Sequence, residues 1–177
     1  MKKTATAIRY LICLSLLMST RVVLANDCSD QLSSVFNAQD FAVASRDMLI
    51  IVRRQAQDFK NVLLRNGTKS VETMRERLKT RGEEFEAQLR LMDGLSTNTS
   101  QHKEVISLIA AEGAKISKTY ANSLASLDAN DRMTSFKADE IAQGVDVPIF
   151  RHLEGLVKQT SYDLKKAQDS ALLGCSR

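Results

Sequence analysis

Arginine is the residue in this sequence best equipped to hold a small ligand. Arg46 and Arg53 stand seven residues apart, and Arg54 adjoins them. On a helix that spacing puts Arg46 and Arg53 two turns apart along one side. A guanidinium binds a carboxylate through parallel N–H groups, so Arg46, Arg53 and Arg54 are candidate ligand-binding residues for a small anion. Ala42, Ser45 and Ala56 are small and would leave room beside them. The simpler reading is surface pairing with acids. Asp47 is close to the first group, and Glu72 and Glu76 are close to Arg75, Arg77 and Arg81.

Other chemistry is thin. His102 and His152 are the two histidines, and neither has a cysteine or carboxylate at metal-ligand spacing. No metal or cofactor is therefore expected. The sequence has no CxxCH haem motif, no glycine-rich phosphate loop and no G-x-S-x-G elbow. Glu83–Glu84 and Asp139–Glu140 are adjacent pairs that diverge on a helix, so neither is an acid–base pair. No catalytic residue is expected, and the chain reads as non-enzymatic.

The N-terminus reads as an export signal. Lys2, Lys3 and Arg9 precede an apolar run, Tyr10–Ser19, of about ten residues, which is short for a bilayer span. Val23-Leu24-Ala25 supplies small residues for cleavage after Ala25. An uncleaved anchor is the rival reading, and Arg21 argues against it. The signal is residues 1–25 and the expected domain is 26–177, in the periplasm. The chain has 25 basic and 21 acidic residues, and four of the basic ones lie in the signal, leaving 21 against 21. The basic character thus belongs to the signal, and nucleic acid is not an expected partner. Cleavage also removes Cys13 and leaves Cys28 and Cys175, which in an exported chain read as a disulfide. Free thiols are the alternative.

The elements that must position these residues are helices. Proline occurs once, at Pro148, and glycine and aromatics are sparse. Val35, Ala38, Ala42, Ser45, Leu49, Val52, Ala56, Phe59 and Leu63 follow steps of three and four, which predicts a helix from Ser29 to Arg65. Asp40, Asp47, Arg54, Asp58, Asn61 and Arg65 fall on its other face. Asn66-Gly67 ends it. A second helix begins near Ser70, with Gly82 weakening its middle. A third covers Gln101–Leu127, and a short piece follows near Thr134–Gln143. Asp146 caps the last helix, with Pro148 in its first turn. The expected fold is all-α, an antiparallel up-down-up-down four-helix bundle. That topology brings Cys28 and Cys175 to the same end.

The run RRQAQDFKNVLLRNG, residues 53–67, resembles a motif in the first periplasmic helix of many methyl-accepting chemotaxis proteins, which typically reads QVQEWKNxLLRG. Gln55, Gln57, Lys60, Asn61, Leu63, Leu64 and Arg65 match it. Ala56 replaces Val, Asp58 replaces Glu and Phe59 replaces Trp. Weaker similarity continues at Tyr120 and at Gly144-Val145-Asp146 with Pro148. A third-helix histidine associated with such domains falls near Gly113 here, so its role does not carry over. The resemblance implies a periplasmic four-helix sensor domain. The chain reaches Arg177 without the second membrane helix or cytoplasmic coiled coil of such receptors, so the expectation is a sensing module alone.

The motif also has a plain physical reading. Gln55 and Gln57 flank Ala56 and either bond across to neighbouring helices or face water; such polar flanks fix helix register. Arg65 suits the negative end of the helix dipole. Two function classes follow. The first is a sensor-like bundle binding a small ligand or a periplasmic or membrane partner protein, with a homodimer as a further option. The second is a chaperone-like or structural helical protein that binds envelope proteins.

Overall fold

Helix-forming composition and steps of three and four dominate the sequence, and the computed structural model is all-α. It describes the backbone of residues 3–95 and 99–175, and side chains from residue 28 onward within that range. The side chains on which the export-signal reading rests lie outside the described residues. Five helices follow in order: α1 (Lys3–Leu64), α2 (Val71–Leu95), α3 (Ser100–Ala125), α4 (Met133–Ala142) and α5 (Val147–Cys175). Among the described residues there is no strand, only a single bridge between Asp128 and Asp131. None of the helices, among those residues, is long and apolar enough to cross a membrane. The start of α1 differs from the sequence expectation: helical backbone runs back from Ser29 to Lys3 without a break.

The chain divides into two compact units. One combines Met1–Gln39 with Tyr162–Arg177, the other is Asp40–Ser161. In the first unit Cys28 and Cys175 form a disulfide, with their Cα atoms 5.1 Å apart. Val35, Ala38, Leu164 and Ala167 are half-buried there and Ala171 is buried.

The second unit holds the main core. Phe41, Met48, Val52 and Phe59 of α1 meet Leu78, Phe85 and Met92 of α2. Ile109, Ile116 and Tyr120 of α3 join them, with Ala138 of α4 and Ile149 and Leu153 of α5. The buried face of α1 is wider than the single seam expected. Phe41, Ala44, Met48, Gln55, Asp58 and Val62 are buried beside Ala42, Ser45, Val52, Phe59 and Leu63. A helix packed by several neighbours buries a broad stripe, and the narrow seam of a two-helix contact underestimates it. Asp58 is therefore a correction: expected on the solvated face, it is buried and paired to Arg81 of α2 at 3.4 Å. Arg81 also donates to both Glu84 carboxylate oxygens, at 2.7 and 2.6 Å.

Two turns fix the helix ends. Gly67 alone supplies the left-handed residue after α1, with φ +77°; Asn66 has ordinary φ and uses its side chain instead. The Asn66 amide donates to the Asp128 carbonyl at 2.7 Å, tying this turn to the α3–α4 loop. A Cβ on Gly67 would stand 2.5 Å from the Ala129 carbonyl oxygen, so glycine is required there on two grounds. Gly144, with φ +72°, ends α4 in the same way. The Asp146 carbonyl then accepts from the Phe150 N–H, opening α5 where Pro148 lacks a needed donor least.

Candidate functional site

Gln55 faces inward because it falls in the buried row of α1 that runs through Met48, Asp58 and Val62. Only 6 % of it is exposed. It lines a pocket of about 270 Å³ with Arg75, Leu78, Lys79 and Gly82 of α2 and Ser117, Tyr120, Ala121 and Leu124 of α3. One turn after Gln55, Phe59 stacks on Tyr120 with ring centroids 4.0 Å apart and planes 5° from parallel. Tyr120 is 5 % exposed. Burial pushes its phenol above the usual range, and the Asp146 carboxylate pushes it further the same way. Gln55 and Tyr120, two residues of the resemblance, thus line one pocket, with Phe59, which stands where the motif has Trp, stacked on Tyr120.

The polar groups of this pocket are incompletely used. Among the described residues the Gln55 amide and the Tyr120 hydroxyl form no hydrogen bond. The Arg75 Nε is buried and also lacks one. The nearest Glu72 carboxylate oxygen is 3.8 Å from it, beyond hydrogen-bond reach. Lys79 follows Arg75 by one turn and stands 3.6 Å from Glu76. Both pairs are solvent-exposed and worth little. No carboxylate is among the lining residues.

The rest of the motif points elsewhere. Lys60 pairs with Asp139 of α4. Leu63 is buried, Asn61 half-buried and Gln57 exposed. Arg65 follows the last residue of α1 and donates to Ser70 at 3.3 Å. Lys60, Leu63, Leu64, Asn66, Arg132 and Phe136 border a groove of about 390 Å³. Two large apolar side chains stand open at it, Leu64 82 % and Phe136 69 % exposed, among charged and polar neighbours. Neither glutamine bonds to a neighbouring helix; Gln57 meets water and Gln55 the pocket.

The arginine trio is placed on or near the surface of α1. Arg53 pairs with Glu154 of α5 at 3.2 Å, both half-exposed. Arg46 donates to Ser161 at 3.4 Å, and Arg54 is exposed. None of the three lines the Gln55 pocket. The two histidines, far apart in sequence, do share a pocket of about 260 Å³ between α3 and α5, beside Arg151. The His102 ring lies 4.5 Å from that of Phe41. Among the described residues no group of three or more His, Cys, Asp or Glu could hold a metal ion.

The sequence raises Arg75 only as added charge on the second helix, and Lys79 not at all. The signal was present: two cations one turn apart flank Leu78, next to Gly82. No atom lies within 4 Å of where a Gly82 Cβ would stand, so the glycine leaves space at the pocket. Gly113 differs. A Cβ there would run into the Phe85 ring, so neither a histidine nor an alanine fits without moving it.

Comparison of the chain with known proteins found no matching family model, no matching curated protein and no matching solved structure.

Proposed function

We propose that this chain is a non-enzymatic, sensor-like helical bundle, exported to the periplasm, that binds a small ligand in the Gln55 pocket. The carrying observation is one pocket lined by Gln55 and Tyr120, both nearly buried, and by Arg75, whose Nε is a buried donor without a hydrogen bond. Buried polar groups are nearly always satisfied, and the exceptions mark places where something else binds. Two residues of the chemoreceptor likeness, Gln55 and Tyr120, line the pocket. In this reading Asp40–Leu64, α2, α3 and the start of α5 form an up-down-up-down four-helix bundle, with α4 inserted before the last helix. The signal is removed after Ala25 and the disulfide joins the chain ends. A homodimer would cover Val43 and Ile50, two exposed apolar residues seven apart on α1.

A thermal-shift screen of the exported protein against small metabolites tests the reading. A ligand bound only by the native state raises Tm. A Tm unmoved by every metabolite would refute it. The second reading, a chaperone-like protein, draws on the exposed apolar side chains of Leu64 and Phe136. It expects suppressed aggregation of an unfolded client, lost in Leu64→Ser with Phe136→Ser.

A further inference from the structure

We infer that the Gln55 pocket takes a small aliphatic monocarboxylate, and that Arg75 rather than Arg46 or Arg53 binds its acid group. The inference rests on the pocket being a ligand site. It adds the chemical class of the ligand and the residue that selects it.

The charge of the lining argues for an anion. Arg75 and Lys79 are its only charged members, and both are cationic. Their acidic neighbours, Glu72 and Glu76, are surface groups at 3.8 and 3.6 Å and leave guanidinium and ammonium donors unused. Arg75 is the more fixed of the two. Its Nε is buried while the side chain as a whole stays 40 % exposed. A guanidinium held in that way presents paired donors matching a planar carboxylate. Gln55 supplies an amide donor from the opposite helix, deeper in.

The remaining lining argues for an apolar body. Leu78, Ala121 and Leu124 contribute hydrocarbon, Gly82 adds no side chain, and the hydroxyls are those of Ser117 and Tyr120. Lys79 is already 3.6 Å from Glu76, which leaves Arg75, with its buried unbonded Nε, as the cation for a single acid group. A volume of about 270 Å³ is at the small end for ligand sites, which restricts the body to a short chain.

Thermal shift and calorimetry on the purified chain test this, with butyrate, hexanoate, inorganic phosphate and the neutral hexanamide as probes. At a hundredfold excess over Kd, a carboxylate should raise Tm by roughly 5–10 °C. Arg75→Ala should weaken that binding by about tenfold to a hundredfold, because a charge-assisted bond is lost. Its unliganded Tm should stay close to that of the parent, since Arg75 makes only an exposed ion pair. Arg46→Ala with Arg53→Ala should bind as the parent does. Phosphate binding without carboxylate binding would overturn the assignment. So would carboxylate binding that survives Arg75→Ala. Hexanamide binding that is lost in Gln55→Leu and kept in Arg75→Ala would overturn the acid class and leave the pocket as the ligand site. Absence of a shift with these probes and with a wider metabolite set would overturn both.

Discussion

The Phe59 and Tyr120 rings lie face to face, 4.0 Å apart, and join α1 to α3 at the place where Tyr120 lines the Gln55 pocket. The contact gives the aromatic position of the first-helix motif a physical role. It holds the pocket wall. Phe59→Ala would open a cavity in a fully packed site and should cost about 3–5 kcal/mol, read from urea unfolding. Tyr120→Phe keeps the stack and should change stability by far less.

The Tyr120 hydroxyl gives a pH signature. Burial raises the folded-state pKa above its ordinary value of 10.0. Below that pH the phenol is protonated in both states and the contribution is fully present. As pH rises further the unfolded state ionises first, so stability falls. Wild type should therefore lose more stability than Tyr120→Phe above about pH 10, and the two should run parallel below it. Parallel behaviour throughout would show that Tyr120 is not shielded.

Two glycines should respond oppositely to alanine. Gly82 has open space around a Cβ and sits inside α2, so Gly82→Ala should stabilise by roughly 0.5–1 kcal/mol through helix propensity. Gly113 is pressed against the buried Phe85 ring, so Gly113→Ala should destabilise by about 1–3 kcal/mol through overpacking. Denaturant midpoints at constant slope check both.

The Cys28–Cys175 bond closes a separation of 147 residues. Chain-entropy arithmetic gives about 5 kcal/mol as an upper bound for such a loop. Reduction should lower Tm measurably while far-ultraviolet circular dichroism at low temperature stays helical. Alkylation of both cysteines in protein isolated without reductant would contradict the bond.

Much of the fold was legible because helices write their period into the sequence. The start of α2 and both ends of α3 and α4 fall within a few residues of expectation, and Gly67 stops α1 as its residue type suggests. The site was legible only in part. Gln55 and Tyr120 were singled out by resemblance, yet their meeting depends on how α1, α2 and α3 pack, which periodicity does not encode. Asp58 was misplaced because a single seam cannot show that α1 is covered on a broader arc. Arg46 and Arg53 drew attention by spacing along one helix. Their partners, Ser161 and Glu154, lie over a hundred residues away, and only the fold brings them close. The meeting of His102 and His152 was hidden for the same reason.

The most direct test of the ligand-site reading is the side-chain amide of Gln55, followed by nitrogen-15 NMR during titration with a ligand that raises Tm. Gln57, two residues on and exposed, is the internal control. The expected result is a saturable shift of the Gln55 NH₂ signals with Gln57 unmoved. A ligand that saturates the protein and leaves the Gln55 signals in place would contradict it.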